Sequence, residues 1–256
     1  AINDSLKINK KPKAIILVHL YGMPAKINEI KEISKKYDIP LIEDAAEALG
    51  SNYDGIPLGT IGDFGILSFN GNKIITTSGG GALISSSFEH SKKAKFLSSQ
   101  AKENTIHYQH KEIGYNYRIS NVLAAIGLGQ IEQIDKKIKI RRKNFSLYKK
   151  YLNNIEEISF LEEPLNFYSN RWITTILVSS QNGFCKEKII RNLRENKIES
   201  RPIWKPMHLQ PLYKQYKFYN NNSSEKLFNL GLCLPSGTTL TEEQISKISQ
   251  IIISSK

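Results

Sequence analysis

Lys73 is the only charged residue in the eighteen-residue stretch SFNGNKIITTSGGGALIS, residues 68–85. A hydroxyl, Ser68, lies five positions before it, and Asn70 and Asn72 sit between the two. A β-prone run, Ile74, Ile75, Thr76 and Thr77, follows, and then three glycines, Gly79, Gly80 and Gly81, where the missing Cβ lets backbone approach a ligand closely. Most lysines in loops are merely solvated. Here the polar company and the glycine turn point to an amine that meets a ligand. The glycines have neither GxGxxG nor Walker spacing, so they do not specify a nucleotide loop. A second cluster, IPLIEDAAEALG, places Glu43 and Asp44 where a strand should end. In open α/β sheets ligands bind beyond the carboxyl ends of strands. Asp44 reads either as a carboxylate facing a cationic ring in that crevice or as the N-cap of a following helix.

The other polar candidates are more diffuse. His107 and His110 have helical i, i+3 spacing, but no thiol or carboxylate pattern completes a metal site. His19 and Tyr21 follow a strand end and suit a site-adjacent or a structural role equally. Arg201, Trp204 and His208, in RPIWKPMH, offer a cation, an aromatic and a polar ring of the kind a nucleotide-sugar would use, and packing explains them as well.

Positioning these residues requires alternating strands and helices. KAIILVHL is a short continuous apolar run, hence a buried strand. INEIKEISKKYD spaces Ile27, Ile30 and Ile33 as the apolar face of a helix. IPLIED is a second strand, which completes a βαβ unit with a parallel pair. FGILSFN and GALIS are further strands. From Ser120, a plausible N-cap, to about Tyr151 the pattern is helical without proline. RWITTILV reads as a strand, CKEKIIRNLREN as a helix, and IESRPIW as extended. SSEKLFNLGLCLPS gives helix then strand, and TEEQISKISQIIISS a last helix. The fold class is α/β, with a mainly parallel sheet in residues 1–134 and a smaller α+β domain in 135–256, joined by a long helix of about 120–151.

Composition limits the function classes. The chain has 256 residues and a net charge of +12, but only seven of its 36 basic residues are arginine. The lysines are spread along the chain rather than gathered on one face, which argues against nucleic acid and fits a small anionic substrate. Cys185 and Cys233 form no CxxC pair, so they read as reduced thiols of a cytoplasmic protein. The longest apolar runs are about five residues, far below the ~20 of a membrane span. The polar start, AINDSLKINKKPK, lacks a signal peptide's apolar centre, and with no initiator Met the chain reads as a piece of a longer one.

Four stretches together, IEDAAEALGS, GDFGILSFNGNKIITTSGGGALIS, GYNYRISNVLAAIG and RPIWKPMHLQP, resemble the DegT/StrS group of sugar aminotransferases, in the same order and over essentially the whole chain. These are enzymes of the pyridoxal-phosphate (PLP) fold type I, the aspartate aminotransferase fold. The stretches SFNGNK and RPIWKPMH point to members that aminate a 4-keto sugar on UDP-N-acetylhexosamine, as in bacillosamine-type glycan synthesis.

The resemblance assigns the candidates. Lys73 would form the Schiff base with PLP, Ser68 would bind its phosphate, and Asp44 would pair with the pyridinium nitrogen. Glu47 occupies a position near the ring hydroxyl, and Asn116 of GYNYR would reach the partner subunit's cofactor across a homodimer. It implies amino transfer from L-glutamate to a UDP-linked 4-keto-6-deoxy sugar, with Arg201, Trp204 and His208 toward the substrate. A sugar dehydratase of the same group carries histidine in place of the lysine, so Lys73 argues against it. A degenerate PLP-binding protein without turnover is the further alternative. Family members carry roughly a hundred residues before the equivalent of Ala1. That segment supplies phosphate-binding amides and an aromatic stacked on the ring, so residues 1–256 alone should bind PLP weakly.

Overall fold

The computed structural model describes residues 1–8, 10–180, 183–219 and 221–256. It divides into two compact units, one of Ile2–Ile138 with Glu163–Trp172, the other of Lys139–Glu162 with Ile173–Lys256.

The first unit begins with a short helix, α1 (Ile2–Lys7), and then the expected βαβ element: β1 (Ile15–Val18), α2 (Ile27–Tyr37) and β2 (Leu41–Asp44). β1 and β2 are parallel, with Ile15 opposite Leu41 and Val18 opposite Asp44. The inward stripe of α2 runs through the buried Ile27 and Ser34 and the half-buried Ile30, while Ile33 is exposed. A 3.6-residue period carries the inward face to position 34 rather than 33, and the buried Ser34 hydroxyl is satisfied by donating to the Ile39 carbonyl at 2.7 Å. α2 stops at Asp38, which takes the left-handed conformation at φ 50°.

β3 (Asn52–Tyr53) and β4 (Ile56–Pro57) form a small hairpin, which β8 (Phe167–Tyr168) joins on the other edge of β3. That pairing is why 163–172 belongs with the first unit. β5 (Phe64–Ser68) lies parallel to β2, and β6 (Gly81–Ile84) returns antiparallel, giving the order β1-β2-β5-β6. Ile27, Leu41, Ala45, Ala48, Leu58 and Ile61 fill the core of this unit.

α3 (Phe88–Ser98) follows, capped by the Ser87 hydroxyl, which accepts from the His90 amide. The expected single helix of 120–151 is two: α4 (Asn121–Ile131) and α5 (Ile134–Leu152). Ser120 is the N-cap, its hydroxyl accepting from the Leu123 amide at 3.3 Å. The break comes where the Gln133 amide bonds back three residues to Gln130, after a segment weakened by Gly127 and Gly129.

The second unit holds an antiparallel sheet of β7 (Ile158–Phe160), β9 (Thr174–Val178), β10 (Arg201–Pro202) and β11 (Gly231–Leu234), in the order β10-β11-β9-β7. The α5 residues from Lys139, α6 (Lys186–Glu195), α7 (Ser223–Leu230) and α8 (Glu242–Ile253) complete it. IESRPIW makes only the two residues of β10, because Pro202 has no amide to donate and sits at the sheet edge. Tyr148, Leu152, Ile176, Val178, Ile189, Leu193, Leu232, Ile245 and Ile252 form the core, and Thr241 with Gln244 makes a reciprocal cap on α8. Burial holds the Arg141 guanidinium down at about 10 and pushes the Tyr148 phenol up. Each donates to a backbone carbonyl, of Ser236 and Pro235 respectively. Among the described residues no helix is long and apolar enough to cross a membrane.

Candidate active site

The carboxyl ends of β2 and β5 set the site's floor. Neighbouring residues of a strand point to opposite faces, so Glu43 and Asp44 part company at the end of β2. Glu43 turns inward and is wholly buried. Its Oε1 accepts from the Ile61 and Gly62 amides at 2.6 Å each, and its Oε2 from Gly59 at 2.8 Å. The equally buried His19 completes the shell: Nδ1 accepts from the Ala25 amide at 3.1 Å, which leaves the proton on Nε2 to face Glu43 Oε2 at 3.1 Å. His19 is therefore structural. Burial pushes the Glu43 carboxyl upward, but His19 and the amides of Gly62, Gly59 and Ile61 outweigh it and hold the group below its ordinary value. A depressed carboxyl stabilises the fold above its unfolded value of 4.5 and loses that contribution as pH falls below it. Glu43→Gln should lower unfolding stability by about 2–4 kcal/mol at neutral pH. In urea titrations across the acid range, the difference between wild type and variant should shrink as pH falls below that value.

Asp44 ends β2 and is half-buried. No helix follows it: Ala45–Gly50 fold as turns, and Asp44 Oδ1 accepts from the Ala46 amide at 3.1 Å, so the helix-cap reading does not hold. Ala45 and Ala48 are drawn into the core, which bends the chain back at once. This turn delivers Glu47. Its Oε2 accepts from the Tyr21 amide at 2.6 Å, and Tyr21 adopts φ 56°, a costly conformation for a non-glycine residue, where it makes that contact.

Lys73 lies in the loop between β5 and β6. The β-prone residues after it make no strand. Ile74 and Ile75 are both buried, which the alternating faces of a half-buried strand would not permit, and they anchor the loop instead. Loop bonds run from Lys73 N to Asn70 O at 3.0 Å and from Thr77 N to Phe69 O at 2.9 Å. The Lys73 ammonium lies 3.6 Å from Glu47 Oε1 and 4.4 Å from the ring centroid of Trp172, with only 13% of its side chain exposed. Trp172 also donates from Nε1 to the Asn72 carbonyl at 2.9 Å. Ser68 closes β5 opposite Gly81, and its hydroxyl accepts a long 3.4 Å bond from the Asn70 amide.

The structure thus brings Lys73 and Glu47 into direct contact and places Asp44 and Ser68 at the ends of β2 and β5, the two strands that flank them. Asn116 lies on an exposed segment bridged to Ser99, and the rings of its chain neighbours Tyr115 and Tyr117 stack on each other. Arg201, Trp204 and His208 belong to the second unit. There Arg201 pairs with Glu199 at 2.5 Å, Trp204 is 40% exposed, and His208 meets Glu225 at 3.0 Å and stacks on Phe218. His107 bonds Gln109 and His110 the Gln100 carbonyl, and among the described residues no three His, Cys, Asp or Glu are grouped to hold a metal ion. Sequence reasoning missed Trp172 and Asn170, and it named Tyr21 as site-adjacent or structural without the contact its amide makes to Glu47. Trp172 heads what reads as a strand, RWITTILV, whereas β9 starts only at Thr174; the polar SNR before it was the available signal.

The donor set fits PLP. A sequestered amine suits the aldehyde, a carboxylate beyond a strand end suits the ring nitrogen, and a hydroxyl at the neighbouring strand end suits the phosphate.

Comparison with known proteins agrees. Residues 5–253 match the DegT/DnrJ/EryC1/StrS aminotransferase family. EpsN of Bacillus subtilis (strain 168), provisionally described as a PLP-dependent aminotransferase, is 45% identical over 99% of this chain and 66% of its own length. GDP-perosamine synthase of Escherichia coli O157:H7 is 37% identical over 96% of this chain and 66% of its own. The chain therefore spans just under two thirds of the length of these relatives. Among solved structures, a DegT DnrJ EryC1 StrS aminotransferase from Brucella abortus superposes with a TM-score of 0.89 at 28% identity, covering 99% of this chain and 67% of that one. The strand-end carboxylate, the sequestered lysine and the match over nearly every residue lead to one conclusion: the chain belongs to the DegT/DnrJ/EryC1/StrS family of PLP-dependent sugar aminotransferases.

Proposed function

We propose that the protein transfers an amino group from L-glutamate to a nucleotide-linked 4-keto-6-deoxy sugar, with UDP as the nucleotide, for surface glycan synthesis. The observation that carries this reading is the Lys73 amine, withdrawn from solvent between Glu47 and Trp172 in the loop that follows β5. Bound PLP would supply an electron sink that stabilises negative charge on the carbon losing its proton. Lys73 Nζ would hold the cofactor and, once released from it, would carry the proton moved during amino transfer. Asp44 keeps the ring nitrogen charged, Ser68 Oγ binds the phosphate, and Glu47, fixed by the Tyr21 amide, orients Lys73 and the ring hydroxyl. Arg201, Trp204 and His208 are assigned to the nucleotide-sugar with Asn116 serving the partner's cofactor in a homodimer.

The nucleotide has two precedents among the relatives. One is the GDP-perosamine synthase above; the other is a UDP-4-amino-4,6-dideoxy-N-acetyl-beta-L-altrosamine transaminase of Campylobacter jejuni, 34% identical over 79% of this chain. Assaying the complete gene product with glutamate and matched UDP- and GDP-linked 4-keto sugars decides between them. Faster turnover of the GDP sugar would refute the UDP assignment, and no turnover of either would favour a PLP-binding protein without catalysis.

The shared site has its own test. Lys73→Ala and Asn116→Asp should each be inactive, and mixing them with subunit exchange should return about a quarter of wild-type activity, since half the dimers are mixed and one of their two sites is intact. Confirmed exchange with no recovery would place Asn116 within its own chain's site or outside catalysis.

A further inference from the structure

Trp172 makes two contacts with the lysine loop, and their partners are adjacent residues. Its indole N–H donates to the Asn72 carbonyl at 2.9 Å, and its ring lies 4.4 Å beneath the Lys73 ammonium. The ring is 2% exposed and cannot turn away. A lysine side chain rotates about four bonds, and a reacting amine loses rate when it samples directions other than the productive one. Trp172 and Glu47 together restrict it.

Both partners are tied to one residue. Asn170 Nδ2 donates to the carbonyls of Glu47 at 2.9 Å and Leu49 at 3.0 Å, while its Oδ1 accepts from the Trp172 amide at 2.9 Å. The Asn170 amide donates to Ser51 Oγ, which donates onward to the Gly22 carbonyl. Gly22 must be glycine for this: its φ is +81°, and a Cβ there would lie 1.9 Å from Asn170 Oδ1. Residues 169–172 therefore return to the first unit as a strap that sets the carboxylate and the aromatic face together.

We propose that Trp172 is a positioning residue for Lys73, its N–H fixing the loop backbone at Asn72 and its ring face holding the ammonium against Glu47. This rests on Lys73 being the cofactor lysine. Electrostatic attraction between a cation and an aromatic face strengthens as solvent is withdrawn, and only 13% of the Lys73 side chain is exposed.

The test uses cofactor-free protein and two readouts. Acylation of Lys73 by a limiting succinimidyl acetate is followed by peptide mass spectrometry, with the other lysines as internal reference. Amide hydrogen exchange is followed over residues 69–76. Trp172→Leu removes both contacts and should raise Lys73 acylation about tenfold and speed exchange at the Lys73 amide, which shares a peptide unit with the Asn72 carbonyl and donates to Asn70 O. Trp172→Phe keeps a ring but loses the N–H; acylation should stay within about threefold of wild type while exchange rises as in the leucine variant. A purely space-filling tryptophan would not split the readouts this way. If the leucine variant fails to fold, the phenylalanine variant decides: wild-type exchange there overturns the proposal. In parallel, wild type is reduced with borohydride in the presence of PLP. Trapping at another lysine overturns the cofactor reading, whatever the Trp172 variants show. Trapping at Lys73 with acylation and exchange unchanged in the variants overturns the role of Trp172 alone.

Discussion

Lys73→Ala should abolish amino transfer, a loss of about 10⁴-fold or more, because in the proposed role one side chain is both the covalent anchor and the proton carrier. The fold should survive. Glu47 keeps its bond from the Tyr21 amide, and the loop keeps its anchors at Ile74 and Ile75. Lys73→Arg separates charge from chemistry. A guanidinium retains the ion pair with Glu47 and the contact with the Trp172 ring, yet it stays protonated and cannot condense with an aldehyde. Both variants should be inactive when turnover is measured with glutamate and keto sugar, and borohydride should fix no cofactor to the peptide spanning residue 73. Substantial turnover by either, or trapping of PLP elsewhere in wild type, would reject the assignment.

Asp44→Asn should lower turnover by about a thousandfold with little change in stability. In the proposed pairing, a carboxylate ~4 Å from the ring nitrogen at an effective dielectric of ~20 would be worth ~4 kcal/mol, about three pKa units of the ring. Asparagine removes that charge but keeps an oxygen that can accept from the Ala46 amide, so the turn after β2 should hold. Stability by urea titration and turnover should therefore separate. A near-normal rate in this variant would reduce Asp44 to a turn-former, and a large loss of stability would mean that the geometry at the end of β2 needs the charge.

Much of the first unit was legible from local pattern. A five-residue apolar run, an amphipathic helix and a second apolar run can bury their faces in few ways, and the parallel pair β1–β2 follows. Capping was equally local: Ser120 was readable because an N-cap needs only its own hydroxyl and an amide three residues on. The long helix was overread because its break depends on where the chain tightens, not on hydrophobicity alone. The β-prone run at 74–77 makes no strand for a related reason: β-branched residues favour a pleated, half-buried surface, and here two adjacent isoleucines are both buried as anchors.

The site divides along the same line. Sequence by itself determined that a solitary amine, a strand-end carboxylate pair and a glycine turn occur together, since residue type and spacing are properties of the chain. Tertiary structure alone decided which of Glu43 and Asp44 is committed to the core, because that depends on the face each presents once β2 lies between β1 and β5. It also decided what holds Lys73. Glu47 lies 26 positions from Lys73, Trp172 lies 99 positions away, and both are fixed through Asn170, on a segment that leaves the second unit to pair with the first. Contacts at such separations leave no periodicity in a sequence; they exist only when folding brings the segments together.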